Sequence, residues 1–148
     1  MTHLERRGTI ELPLPVERAF PLFTPAGVKL WIEEWDPVFL HPASGATEEG
    51  MVFTTGHGGE ETIWSCTAFE PAAHHARYVR VTPGSRLGFV DVRCEALAAQ
   101  RTRVHVAYVY TALSAQGQAD LAALTEAAFA RMLDSWRAMI VARICGAG

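Results

Sequence analysis

Residues 118–144 constrain this chain more than any other stretch. On a helical wheel at about 100° per residue, Leu121, Ala128, Met132 and Met139 fall nearly on one line. Phe129, Leu133, Trp136 and Ile140 widen that line on one side and Leu124 on the other, while Glu126, Asp134 and Arg137 take the opposite face. The apolar arc covers roughly 200°, wider than a helix lying on a flat neighbour needs. Such a helix calls for a curved partner that wraps it. Arg131, Asp134, Arg137 and Arg143 interrupt the run, so it falls short of the roughly 18 apolar residues of a membrane span.

The preceding chain supplies that partner. Residues 8–12 alternate, with Ile10 and Leu12 on one side, and Pro13 and Pro15 end this short strand. Pro15 is suited to open a helix over 16–23, which Pro21 must shorten or kink. Thr24-Pro25 breaks it, and a second short helix is expected over 28–33. From Trp35 onward the period becomes two. Strand patterns cover about 37–42, 51–56, 62–69, 76–82, 87–96 and 102–111, joined by turn residues such as Gly56-His57-Gly58-Gly59 and Pro83-Gly84-Ser85. An antiparallel meander follows. If the last hairpin turns near Ala99, Cys94 faces Val104, Val92 faces Val106 and Val90 faces Tyr108 on one side. The same register sets Glu95 against Arg103 and Arg93 against His105 on the other.

The totals narrow the function classes. A chain of 148 residues buries roughly two-thirds of its unfolded surface, so 1–148 is expected to be one domain. With a net charge of −3 and pI near 6.0, nothing favours nucleic acid or an acidic membrane as partner. Residues 1–7 lead straight into strand pattern rather than a signal peptide. The three cysteines, Cys66, Cys94 and Cys145, form an odd set without metal-ligand spacing. A reducing cytoplasm is the simplest location. The sequence has no HExxH and no CxxC, and its glycine-rich turn lacks the helix a phosphate loop requires. Neither a metal nor a cofactor is therefore expected.

The order strand, two short helices, six strands, long helix resembles the START-like superfamily (SRPBCC, Bet v 1-like), which includes polyketide cyclases, Hsp90-activator homologues and pathogenesis-related allergens. The resemblance spans nearly the whole chain. It is carried by Pro15-Val-Glu-Arg-Ala-Phe20, by Thr24-Pro25 followed by Trp31, by Trp35-Asp36-Pro37, and by the long helix running through Trp136 to Ile144. It implies an α+β helix-grip fold: a curved antiparallel sheet wrapped around the C-terminal helix, with a pocket between sheet and helices. Superfamily members bind hydrophobic small molecules, and some catalyse cyclisation or dehydration.

Candidate ligand-binding residues follow from the two-residue period. Phe53, Trp64, Tyr108 and Tyr110 point inward from the sheet and Met132 and Trp136 from the helix, while Trp31, Trp35 and Phe39 lie near the mouth. Each can equally be plain core, but two tyrosines on one inner face carry hydroxyls that need partners. Pairing 76–82 with 62–69 sets Arg80 opposite Trp64 and Tyr78 opposite Cys66, which favours an inward Arg80; the alternative leaves both Arg77 and Arg80 in solvent. An inward guanidinium could hold a carboxylate or enolate, or stack on Trp64.

Three functions compete. The first is a carrier or sensor for a hydrophobic or aromatic molecule. The second is a cyclase- or dehydratase-like enzyme using Arg80, Tyr108 or Tyr110 with His41 and Asp36 as acid–base groups. The third is a protein-interaction domain, or a homodimer, using the outward pair Phe89 and Val109.

Overall fold

The computed structural model describes residues 2–146. Seven antiparallel strands form one sheet: β1 (His3–Leu12), β2 (Val38–His41), β3 (Val52–His57), β4 (Glu60–Glu70), β5 (His75–Thr82), β6 (Arg86–Ala98) and β7 (Arg101–Ala112). Their spatial order is β1-β7-β6-β5-β4-β3-β2. The hairpin register expected for β6 and β7 holds in every pair named above. The register of β4 on β5 holds as well, with Trp64 opposite Arg80 and Cys66 opposite Tyr78.

β1 begins earlier than its alternation indicated, at His3 rather than Gly8. The charged run Glu5-Arg6-Arg7 hid it. Leu4 is buried on the inner face, and Arg6, also on that face, carries its charge past the sheet end to donate from Nε to the Leu124 carbonyl at 2.9 Å.

The first helix is kinked as Pro21 requires: α1 (Val16–Ala19) passes into a 3₁₀ turn over Phe20–Phe23. The second differs from expectation. It is α2 (Pro25–Val28), with Thr24 as its cap accepting from the Gly27 N–H, and residues 29–31 continue only as turns. Thr24-Pro25 starts this helix instead of ending the previous one, because a hydroxyl cap followed by proline at the first helical position is a start signal.

The long helix is also divided. The chain forms α3 (Ala115–Ala122) and then α4 (Glu126–Arg143), each with its own cap: Ser114 accepts from Gly117 N–H and Thr125 accepts from Ala128 N–H. The wheel could not see this break, since Leu121, Leu124 and Ala128 keep helical spacing across it. The apolar arc of α4 is centred on Phe129, Leu133 and Ile140, with Met132, Trp136 and Met139 half-buried beside them. Phe129 and Leu133 rest on β1 at Gly8, where a β-carbon would come within 2.5 Å of Leu133. Among the described residues no helix is long and apolar enough to cross a membrane.

Candidate functional site

Between sheet, α2 and α4 lies a cavity walled by aromatic rings. β3 and β4 place Phe53 and Trp64 side by side, stacked at 5.5 Å with nearly parallel planes. Trp35 meets both edge-on, at 6.1 and 5.6 Å. From the other side Trp31 and Trp136 meet edge to face at 5.7 Å, and Tyr108 meets Phe129 at 5.2 Å. Such offsets are what aromatic quadrupoles prefer. Three of the indole N–H groups are tied back: Trp31 donates to the Leu22 carbonyl, Trp35 to the Pro25 carbonyl and Trp64 to Thr55 Oγ1, at 2.8, 2.8 and 2.9 Å. Tyr78 donates to the Phe23 carbonyl at 3.2 Å. The rings fill most of the space, leaving a cavity of about 100 Å³. A void of this order suits one ring of a guest, not a whole fused system.

A second, more open cleft of about 450 Å³ borders Tyr108 on its other side, beneath α3. Here charged side chains join the apolar lining. Arg80 points inward, its guanidinium 4.5 Å over Trp64 and 5.8 Å from the Tyr110 ring. Its Nε is buried with no hydrogen-bond partner among the described residues. Tyr110 lies flat over Gly88, where a β-carbon would come within 2.3 Å of the ring. Burial pushes the Tyr108 hydroxyl well above its ordinary pKa; Tyr110 adds to this and the Arg80 charge only partly offsets it. Tyr108 therefore stays protonated, a hydrogen-bond donor. The other arginine of the cleft, Arg86, is already committed: it reaches Glu60 at 3.6 Å and Asp120 at 3.3 Å.

No protein-family model matches this chain, and no curated protein matches it. Solved structures do. Norcoclaurine synthase from Thalictrum flavum superposes with a TM-score of 0.67 at 7% identity, over 95% of this chain and 87% of that one. Zhui aromatase/cyclase from Streptomyces sp. R1128 gives 0.66 at 14% identity, over 97% and 98%. Ara h 8.0201 gives 0.62 at 11% identity, over 90% and 97%. The fold is the helix grip that these structures share.

Against this helix-grip frame the expected site residues separate into groups. Trp31, Trp35, Phe53, Trp64, Tyr78, Tyr108 and Trp136 line the aromatic cavity. Arg80, Tyr110 and Met132 line the cleft beneath α3 instead, with Tyr108 shared. Phe39 borders neither and backs the Phe53 ring at 5.9 Å. Asp36 and His41 are exposed and line neither space, so they do not face Arg80 and the tyrosines. The outward pair Phe89 and Val109 stand opposite each other as expected, but Arg77 covers the Phe89 ring at 4.7 Å.

Several lining residues had gone unnoticed. Phe23, Pro25 and Val28 close the aromatic cavity from the α2 side, and the start signal at Thr24-Pro25 could have located them. Glu60, Arg86 and Asp120 rim the cleft. Their convergence depends on three separate elements and left no local signal. Nor did a polar cluster on the outer face: His75, buried there, is held by Glu70 at 2.6 Å and Asp91 at 2.8 Å.

Proposed function

We propose that this protein binds a hydrophobic or aromatic small molecule, as a cytoplasmic carrier or sensor, with one ring in the aromatic cavity and an oxygen-bearing group reaching Arg80. The observation that carries this reading is Arg80 itself: a guanidinium inside the grip, over Trp64, with a buried Nε that has no hydrogen-bond partner among the described residues. A buried donor left unpaired costs roughly 1–3 kcal/mol, a cost a bound acceptor removes. Tyr108, which stays protonated, adds a hydroxyl donor to the same cleft. The complementary guest is an aromatic body with a carboxylate, phenolate or enolate oxygen.

A cyclase-like enzyme is the second reading. It is favoured by Arg80 and the two tyrosines, which could stabilise an enolate. The solved structures of an aromatase/cyclase and of norcoclaurine synthase share the fold, which bears on architecture more than on chemistry. Acid–base turnover also needs a base at the reacting carbon. Neither space contains a histidine, and the two carboxylates of the cleft, Glu60 and Asp120, are paired to Arg86. Binding is therefore the better-supported reading.

A thermal-shift screen of aromatic acids, phenols and neutral aromatics tests it. Anionic aromatics should raise Tm, and Arg80→Gln should abolish that rise while leaving weak binding of neutral rings. A screen in which no compound shifts Tm, or in which Arg80→Gln changes nothing, overturns the proposal.

A further inference from the structure

The two helices that close the grip are held in different ways. α4 buries Phe129, Leu133 and Ile140 against the sheet. α3 buries only Gly117 and Leu121. Its remaining attachment is polar and is concentrated at one corner of the sheet, around Ser85. Gly117 sits so close that a β-carbon would fall 1.8 Å from the Ser85 carbonyl. Asp120 accepts from Ser85 Oγ at 3.0 Å and from Arg86 Nη1 at 3.3 Å. Arg86 reaches on to Glu60 at 3.6 Å, so a bridge runs from β4 through β6 to α3.

This bridge lies over the cleft that contains Arg80. Ala119, Asp120 and Leu121 of α3, with Ala123 and Leu124 after it, form the cleft's wall on that side. The break after Ala122 gives α3 and α4 independent caps at Ser114 and Thr125, so α3 can swing without unwinding α4. Segments with few buried apolar contacts are the ones that open at low free-energy cost.

We propose that α3 is a hinged door over the Arg80 cleft, fastened by the Glu60–Arg86–Asp120 bridge, and that its opening sets the rate at which a guest enters and leaves. The proposal rests on the binding reading above and adds its regulation. Because Glu60 and Asp120 are partly solvent-exposed, the fastening is weakened by salt.

Hydrogen–deuterium exchange on the full chain tests the door without any guest. In Asp120→Asn, α3 amides should exchange roughly fivefold faster, while those of α4 and of β6–β7 stay unchanged. Raising salt from about 0.05 to 0.5 M should speed α3 in the wild type and much less in the variant. Equal opening of α3 and α4, or an α3 indifferent to both changes, overturns the proposal. Glu60→Gln, on an exposed strand position, serves if Asp120→Asn does not fold. Stopped-flow release of 8-anilinonaphthalene-1-sulfonate gives the second measure, with an off-rate rising by the same factor as α3 exchange. If the probe binds through Arg80 but its off-rate is unchanged while α3 loosens, the door is wrong and the binding reading stands. If this probe and the aromatic acids fail to bind at all, both fall.

Discussion

Around the aromatic cavity ring edges meet other rings, and the indole N–H groups of Trp31, Trp35 and Trp64 are each spent on a nearby protein acceptor. Around the Arg80 cleft, across Tyr108, one guanidinium has a buried donor without a partner among the described residues and the other is shared between two carboxylates. The first region is built as core that leaves a gap; the second gathers charged groups from β4, β5, β6 and α3 around an open cleft. Stability and recognition should therefore respond to different residues, although the two spaces share a wall.

The largest effect tests the aromatic side. Trp64→Ala removes the Phe53 stack, the Trp35 edge contact and the platform under Arg80, and should cost about 3–5 kcal/mol, lowering Tm by about 10 °C or more. A loss under about 1 kcal/mol in chemical denaturation would mean that the rings are lining rather than core. A smaller, pH-dependent effect comes from His75 on the outer face, a polar cluster devoted to stability. Burial alone would lower its pKa, but the hydrogen bonds to Asp91 and Glu70 outweigh burial, and the net shift is upward despite Arg93. A raised folded pKa gives stabilisation that is fully present below the unfolded value near 6.5 and is lost as pH rises through the folded value. The Tm advantage of wild type over His75→Gln should therefore grow from about pH 8 down to about pH 5, above the range where carboxylates protonate. A flat difference would show that the imidazole is held neutral.

The smallest stability effect belongs to the cleft and is the sharpest comparison. Arg80→Met keeps the stem packed on Trp64 and removes the unsatisfied donor, so stability should change by less than about 1 kcal/mol. Affinity for an anionic aromatic, read by calorimetry, should fall at least tenfold, about 1.4 kcal/mol. If the variant instead unfolds readily, Arg80 is a structural cation and the contrast between the two regions collapses.

The sheet was legible because period-two alternation and cross-strand pairing constrain one another. For β6 and β7 a single register put valines on one face and Glu95 with Arg103 on the other. The same logic turned Arg80 inward, since the β4 register sets it beside Trp64. What remained hidden was set by contacts between distant segments. Apolar spacing runs unbroken from Leu121 through Leu124 to Ala128, so only the Thr125 cap marks where the helix divides. Asp120, Arg86 and Glu60 lie on three elements and meet only once α3 folds back on Ser85. Which way Asp36 and His41 turn is likewise not written in their local sequence; both turn to solvent.

Gly8 carries one more implication. With only a hydrogen there, β1 lets Leu133 and Phe129 settle almost onto its backbone, and Phe129 in turn presses on Tyr108, the wall common to both spaces. A single methyl at position 8 would act as a shim, tilting the long helix outward and enlarging the room behind that tyrosine. The room behind Tyr108 is thus set in part by an atom that the outermost strand leaves out.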